Sequence, residues 1–364
     1  VDSLVHANNG RRAAAGAAVL AGALLLSGCG GGGDSSSPSK PASPAGSTPV
    51  PVEGAAGQLE AQYEQVVSDV LPSVVQIETD SGEGSGVVYD GQGDIVTNAH
   101  VVAGARRIEV TAASGGQPLK AELVGSFAAD DLAVVRVSGG SLKPARFGDS
   151  GKAKVGQIVL AMGNPLGLSG SVSNGIVSAL NRTVSTKREG AFPGATIGNA
   201  LQTSAAINPG NSGGALVTLN GEVIGIPTAA ASDPQMGGAA VGIGFATPSN
   251  TVKQIAPQLI QSGKVANSGR AALGVTVRTL IDPQSLQQTA VGVVEVTPNG
   301  PADKAGIKAD ELILSVNGTP TPNQTALSEV LVKLKPGDVA KVEVQGADGA
   351  KRTADVTLGQ LPSS

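Results

Sequence analysis

From about residue 73 to residue 247 the chain is written in short apolar runs, each stopped after a few residues by Gly, Asn or Pro. The runs fall at 74–78, 86–89, 107–111, 121–124, 132–137, 155–162 and 171–178, and then at 200–203, 215–219, 223–226 and 240–245. Runs this brief cannot make helices that bury a useful face, and the Val- and Ile-rich segments between breakers read as strands. Two successive sets of such strands predict two antiparallel barrels, because closing a sheet removes its unpaired edges. The 52 glycines suit the tight turns this requires, and with 364 residues there is chain left for a further unit.

The ends of this region are punctuated differently. Arg11-Arg12 precede an apolar run over 13–26 that is short for a bilayer span and stops at Leu26-Ser27-Gly28-Cys29. Residues 1–28 read as a signal peptide. Residues 29–57 are Gly, Ser, Pro and Ala with almost no large apolar side chain, a flexible linker whose ends would lie roughly 30 Å apart. Leu59, Tyr63, Val66, Val67 and Val70 then recur at helical spacing until Pro72 stops them. After the second set of strands, 249–261 reads as a helix and 262–270 as a connector.

Charge and residue counts exclude several functions. A net charge of −4 and a pI near 5.3 give no global attraction to nucleic acid or anionic lipid. The single cysteine, Cys29, rules out an internal disulfide. With His6 in the segment expected to be removed, one histidine and one cysteine make no usual zinc site, and no metal or cofactor is expected.

What the residues do offer is a nucleophile. Asn208-Pro209-Gly210-Asn211-Ser212-Gly213-Gly214 frames a serine with glycines and runs at once into Ala215-Leu216-Val217. A serine hydroxyl needs a base within hydrogen-bond reach and donors aimed at the oxygen that becomes negative. Backbone without Cβ at Gly210 lets the loop present N–H groups of Gly210, Asn211 and Ser212 as an oxyanion hole. The same glycines also fit a plain turn between strands. A histidine base can only be His100, in Thr97-Asn98-Ala99-His100-Val101-Val102, where a structural histidine is the other reading. Asp131 opens the apolar strand Leu132-Ala133-Val134-Val135 and offers an orienting acid, while Asp130 reads as a surface turn.

Together these stretches resemble the HtrA family of serine proteases, as do Gly84-Ser85-Gly86-Val87-Val88, Met162-Gly163-Asn164-Pro165-Leu166-Gly167 and Gly242-Ile243-Gly244-Phe245-Ala246-Thr247-Pro248. The resemblance runs from about Leu59 to about Gly359. It implies a mainly β chain, with a chymotrypsin-like double antiparallel β-barrel over 58–262 followed by a PDZ domain (α+β) and tail over 263–364. The implied activity is that of a serine endopeptidase with His100, Asp131 and Ser212 as catalytic residues, and the implied substrates are unfolded or damaged extracytoplasmic proteins. The Leu-Ser-Gly-Cys ending is similar to the lipobox of bacterial lipoproteins and implies lipid on Cys29, hence a membrane-anchored chain in the cell envelope. An ordinary signal peptide and a short uncleaved anchor are the other readings. The family also implies a homotrimer built through the 59–70 segment, for which packing within one chain is the alternative, and a role in protein quality control under stress.

Several positions refine or strain the resemblance. Asn211 replaces the acid that digestive proteases pair with a new N-terminus, so activation by that salt bridge is not expected. Ala206 stands where trypsin-like enzymes keep an acid for Lys or Arg substrates, which predicts a small or medium apolar residue before the scissile bond and a pocket walled by Ala206, Ile207 and Ile226. Arg182 matches a family arginine beside the loop that relays assembly or peptide binding, and 183–199 reads as a solvated loop. Ser204 replaces a family acid, and Pro227 replaces an asparagine and removes one backbone donor. In the third unit, Ala272-Leu273-Gly274-Val275 is similar to a PDZ carboxylate loop, with Leu273, Gly274 and Val275 holding the C-terminus of a bound peptide by backbone N–H groups. A unit used only for packing is the alternative there. For the whole chain two other readings stay open: a lipid-anchored chaperone-like or signalling binding protein with an unproductive triad, and a selective signalling protease that cuts one membrane partner.

Overall fold

In the computed structural model the described residues are 54–361, except 165–169, 209, 234–237 and 282–287. The chain divides into two units, Val1–Pro51 and Val52–Ser364, and the described residues all belong to the second. The expected signal peptide, most of the linker, Cys29, Leu166, Gly167 and Pro209 lie outside the described residues. No helix among the described residues is long and apolar enough to cross a membrane.

Helix α1 (Ala55–Val70) leads into β1 (Val74–Thr79), β2 (Glu83–Val88), β3 (Asp94–Thr97), the single turn α2 (Ala99–Val102), β4 (Ile108–Ala112), β5 (Leu119–Phe127) and β6 (Leu132–Val137). These six strands close in the order β1-β2-β3-β6-β5-β4. A second closed barrel, β10-β11-β12-β9-β8-β7, is made of β7 (Ile158–Gly163), β8 (Ser171–Ser185), β9 (Thr196–Thr203), β10 (Ala215–Thr218), β11 (Val223–Asp233) and β12 (Gly238–Pro248). Both predicted barrels are present. The strands β8 and β9 run further than the sequence pattern indicates, so the connection between them is shorter than the 183–199 loop expected.

Side-chain alternation explains why these strands read as nearly continuous apolar runs. Along β6, Ala133, Val135 and Val137 fill the first barrel while Leu132 and Val134 face a core shared with the second. Along β10, Leu216 fills the second barrel while Ala215 and Val217 face that shared core. Burying one such Val or Leu contributes about 1.5–3 kcal/mol, so a register slip that exchanged faces would cost several of these at once. The shared core is closed by α3 (Ser249–Ser262), whose Val252, Ile255, Ala256 and Leu259 recur on one face. This helix stops at Gly263, whose φ of 70° suits a left-handed cap and whose N–H donates to Leu259 O at 2.8 Å. Helix α1 packs Val66 and Val70 into the same core, whereas Leu59 is 39% exposed.

The third unit has its own core around Leu273, Val291, Ile313, Val342 and Val356. Its elements are β13 (Ala271–Ala272), β14 (Val275–Ile281), β15 (Gln288–Val296), α4 (Pro301–Lys304), β16 (Leu312–Val316), β17 (Thr319–Pro320), α5 (Gln324–Leu331), β18 (Val339–Gln345), β19 (Lys351–Thr357) and β20 (Gly359–Gln360). The main sheet runs β14-β15-β16-β18-β19, so β14 is an edge strand; β13 pairs with β20.

Candidate active site

The site forms where β3, the turn before β6 and the loop before β10 meet. His100 sits in α2 just after β3, and Asp131 follows a single 3-10 turn, Ala128–Asp130. Asp131 has φ 52°, a left-handed conformation that costs a non-glycine residue on the order of 1 kcal/mol. Its partners offset that strain. Oδ1 accepts the His100 backbone N–H at 3.0 Å, Oδ2 lies 2.7 Å from His100 Nδ1, and the Thr228 hydroxyl donates to Oδ2. Asn98 Nδ2 donates to the Asp131 carbonyl at 2.9 Å. The carboxylate is fully buried. An acceptor-only group facing Nδ1 places the proton there and leaves Nε2 as the basic nitrogen.

Burial alone would lower the His100 pKa. That effect is outweighed by the hydrogen bond and charge of Asp131, with the charge of Glu189 adding to them, so the imidazole titrates above 6.5. Glu189 belongs to the connection between β8 and β9, where it bridges to Phe192. The Phe192 ring meets the His100 ring edge-on at 5.8 Å and 61°, and is itself buried.

Ser212 is brought to the first barrel by its backbone. Ser85 N–H, on β2, donates to Ser212 O at 2.8 Å, and Gly213 N–H donates to Pro227 O at 2.9 Å. Gly213 has φ 83°, and a Cβ there would lie 2.1 Å from Ser85 O, so no other residue fits. The N–H groups of Gly210 and Ser212 have no acceptor among the described residues, as an oxyanion hole needs. The Asn211 N–H, expected beside them, is instead bound to Asn208 O at 3.0 Å, and its side chain donates to Ala206 O at 3.3 Å. Asn211 therefore shapes the loop and adds no third donor. Among the described residues no hydrogen bond joins Ser212 Oγ to His100 Nε2.

The expected pocket walls divide. Ala206 is exposed, but Ile207 is 7% exposed and belongs to the second-barrel core, and Ile226 is fully buried in the core shared by the barrels. Ile226 cannot line an open pocket: a shift in the β10–β11 register between Leu216 and Val217 leaves it on the side of Val223, in the shared core, with Ile224 on the other side. Asp130 is likewise not a surface turn. Its carboxylate is buried against Arg270, with Arg270 Nη1 2.7 Å from Asp130 Oδ1 and 2.6 Å from Ala129 O. Burial raises the Asp130 pKa and Arg270 holds part of that shift back.

The two unusual residues of the second barrel each find a place. Ser204 Oγ accepts the Ile176 N–H at 3.0 Å. Pro227 pairs with Ala246 beside a shift in the β11–β12 register, and its carbonyl accepts the Gly213 N–H at 2.9 Å. Arg182 is exposed on β8 and its Nε donates to Gln202 Oε1 at 3.1 Å. No group of three or more metal-ligating side chains occurs among the described residues.

A second candidate site lies between the β14 edge and α5. Leu273, Gly274 and Val275 open a groove of about 360 Å³ whose walls include Val277, Leu327 and Leu331. The carbonyls of Leu273 and Gly274 are engaged by Ala302 and Thr297, while the N–H groups of Leu273 and Gly274 have no acceptor among the described residues. Sequence reasoning missed Phe192, Thr228, Asn98 and Ser85, whose contacts join stretches far apart in the chain and leave no local signal.

Residues 84–226 match a family described as trypsin-like peptidase domain, and residues 271–358 match PDZ domain. Among sequence relatives, serine protease PepD of Mycobacterium tuberculosis is 40% identical over 344 residues, covering 88% of this chain and 72% of that protein. Serine protease Do-like HtrA of Bacillus subtilis is 38% identical over 321 residues, covering 83% of this chain and 69% of that protein. A probable periplasmic serine endoprotease DegP-like of Halomonas elongata is 38% identical, covering 77% of this chain and 57% of that protein. Among solved structures, the HtrA-type protease AlgW with decapeptide is 30% identical with a TM-score of 0.55, covering 83% of this chain and 99% of that one.

Proposed function

The chain belongs to the HtrA family of serine proteases, and from that premise we propose that it is an endopeptidase for unfolded or damaged extracytoplasmic proteins, working through Ser212, His100 and Asp131. The observation that carries this reading is the grip of the buried Asp131 carboxylate on both the backbone N–H and the ring Nδ1 of His100. Fixing Nδ1–H leaves Nε2 to take the Ser212 proton. Ser212 Oγ then attacks the peptide carbonyl, and the Gly210 and Ser212 N–H groups bind the resulting oxyanion. His100 returns the proton to the leaving amine, and water resolves the acyl-enzyme by the same route.

Ala206 leaves the substrate pocket without an acid, which suits small or medium apolar residues before the scissile bond. The groove beside β14 takes the C-terminus of a peptide or substrate, adding a strand to the open edge with the carboxylate on the Leu273 and Gly274 N–H groups. Contacts run from there toward His100: Ser185 Oγ at the end of β8 donates to Glu329 of α5 at 3.0 Å, and the connection that follows β8 carries Phe192. Peptide binding at α5 thereby biases the site, with Arg182 on β8 as a further regulatory position. Lipid on Cys29 anchors the chain to the cell envelope, and the exposed Leu59 end of α1 serves a homotrimer. A diacylglycerol mass on the peptide beginning at Cys29 and a sedimentation mass three times that of the chain are the readings these require; an unmodified Cys29 or a monomer mass removes them.

Incubating the full chain with a serine-directed phosphonate and with an unfolded model protein tests the reading. Expected are a label at Ser212, cleavage after small apolar residues, and faster cleavage when a peptide with an apolar C-terminus is added. No label and no cleavage, with or without the peptide, would favour a lipid-anchored binding protein, the second reading that the missing Ser212–His100 hydrogen bond supports. Cleavage of a single membrane protein in a whole-proteome screen would instead mark a selective signalling protease.

The charge of Glu189 gives a pH prediction. The base must be neutral, so kcat/KM falls as pH drops through the raised His100 pKa. A nearby anion raises that pKa, and Glu189→Gln removes one, so the acidic limb of the profile moves to lower pH in the variant. The shift shrinks with added salt, because Glu189 is exposed. An acidic limb unmoved at low ionic strength counts against the Glu189 contribution.

A further inference from the structure

Ser85 has no part in the mechanism above, yet it is fully buried and uses every polar group it owns at the junction of the barrels. Its hydroxyl donates to Gly210 O at 2.5 Å and accepts the Asn164 N–H at 2.9 Å. Its N–H donates to Ser212 O at 2.8 Å, and its carbonyl accepts the Thr97 hydroxyl at 2.7 Å. One residue of β2 thus holds two residues of the nucleophile loop, the end of β7 and the end of the strand that leads to His100.

The contact with Gly210 matters most. Gly210 has φ 96°, and a glycine has wide freedom about φ and ψ, so nothing in its own side chain keeps its N–H aimed at one point. An oxyanion hole works only if its donors are fixed before charge develops. The Ser85 hydroxyl supplies that restraint from outside the loop by pinning the Gly210 carbonyl, and the Asn164 N–H in turn fixes the hydroxyl's own orientation. Space is kept for this arrangement. A Cβ on Gly163 would lie 3.0 Å from Ser85 Oγ and 2.8 Å from Asn211 Cα.

We infer that Ser85 is a positioning residue for the oxyanion hole, acting from the first barrel on a hole built by the second. The inference rests on the protease reading and deepens it. Ser85 touches no substrate atom; it acts through Gly210. Its hydroxyl should therefore matter to the transition state and little to the bound substrate.

The test compares wild type, Ser85→Ala and Ser85→Cys in the full chain, with rates expressed per site titratable by the phosphonate so that any unfolded fraction drops out. In Ser85→Ala kcat is expected to fall about 10- to 100-fold, short of the loss of a direct oxyanion donor, with KM within about threefold. The phosphonate reaction should slow in parallel, because its phosphoryl oxygen occupies the same hole. The acidic limb of the pH profile should stay in place, since the His100–Asp131 pair is untouched. Ser85→Cys keeps a weak donor at similar reach and should recover part of the rate. Unchanged kcat per titrated site in Ser85→Ala overturns the inference and leaves the protease reading intact, even if the variant is less stable. Joint changes in KM and in the acidic limb also overturn it, since they report general disorder of the site. A wild-type chain that neither cleaves nor reacts with the phosphonate overturns the protease reading and this inference with it.

Discussion

Ser212→Ala is expected to lower kcat for peptide cleavage by about 10⁵- to 10⁶-fold while leaving the fold as it is. Both halves of that expectation come from how the nucleophile is held. The loop is anchored through the Ser212 carbonyl to Ser85, through the Gly213 N–H to Pro227 and through the Gly214 N–H to Asn211. None of these uses the Ser212 hydroxyl. Removing it strands no buried partner, so the unfolding free energy should change by no more than about 0.5 kcal/mol, as for an ordinary surface substitution. Chemistry, by contrast, loses the atom that forms the acyl bond. The check is single-turnover cleavage of an unfolded protein beside thermal unfolding of the same samples. Residual cleavage within tenfold of wild type would mean that another group performs the reaction, and a large drop in stability would mean that the hydroxyl has a structural partner.

Asp131→Asn should cost about 10⁴-fold in kcat, more than its small change in shape suggests. The carboxylate faces three donors: the His100 N–H, the His100 ring Nδ1–H and the Thr228 hydroxyl. An amide brings two N–H bonds of its own into that arrangement. If its nitrogen takes the Oδ2 position, the ring must move its proton to Nε2 and loses the lone pair that Ser212 needs. If it takes the Oδ1 position, two donors face each other in a fully buried site, at a cost of about 1–3 kcal/mol. Either way the base is lost or the turn is destabilised. The pH profile separates this from simple damage. The hydrogen bond and charge of Asp131 raise the His100 pKa against burial, so the variant's acidic limb should move to lower pH. A profile with kcat within tenfold of wild type and an unmoved limb would show that Asp131 does not orient the base.

The proposed catalytic residues stand out in the sequence because chemistry leaves few candidates: two histidines in the chain, one of them in an expected leader, and a serine within the glycine-rich run Asn208 to Gly214. Barrel strands could be read because breakers bounded them. Their faces could not. In a strand buried on both sides the apolar run is continuous, and nothing in Val223-Ile224-Gly225-Ile226 says that Ile224 enters the second barrel while Ile226 enters the shared core. That ambiguity put Ile226 on a pocket wall. Asp130 was misread for another reason, since its burial depends on Arg270, far along the chain. Ser85 reaches Gly210 over a comparable separation. Such contacts are properties of the closed fold, and no local pattern announces them.

The closed barrels have one more consequence for a protein proposed to handle unfolded chains. Stray extended segments join onto any unpaired strand, and a barrel offers none. In the main sheet of the third unit two strands remain open to this, β14 and β19. On β19, Lys351, Arg352 and Asp355 stand exposed, and charges there discourage a foreign strand from settling. Val275, Val277 and Thr279 alternate along β14 with only Thr276 and Arg278 exposed between them, beside an apolar groove. The molecule is thus guarded against indiscriminate sticking on one side of that sheet and receptive on the other, so that an extended chain meeting it is channelled to the groove.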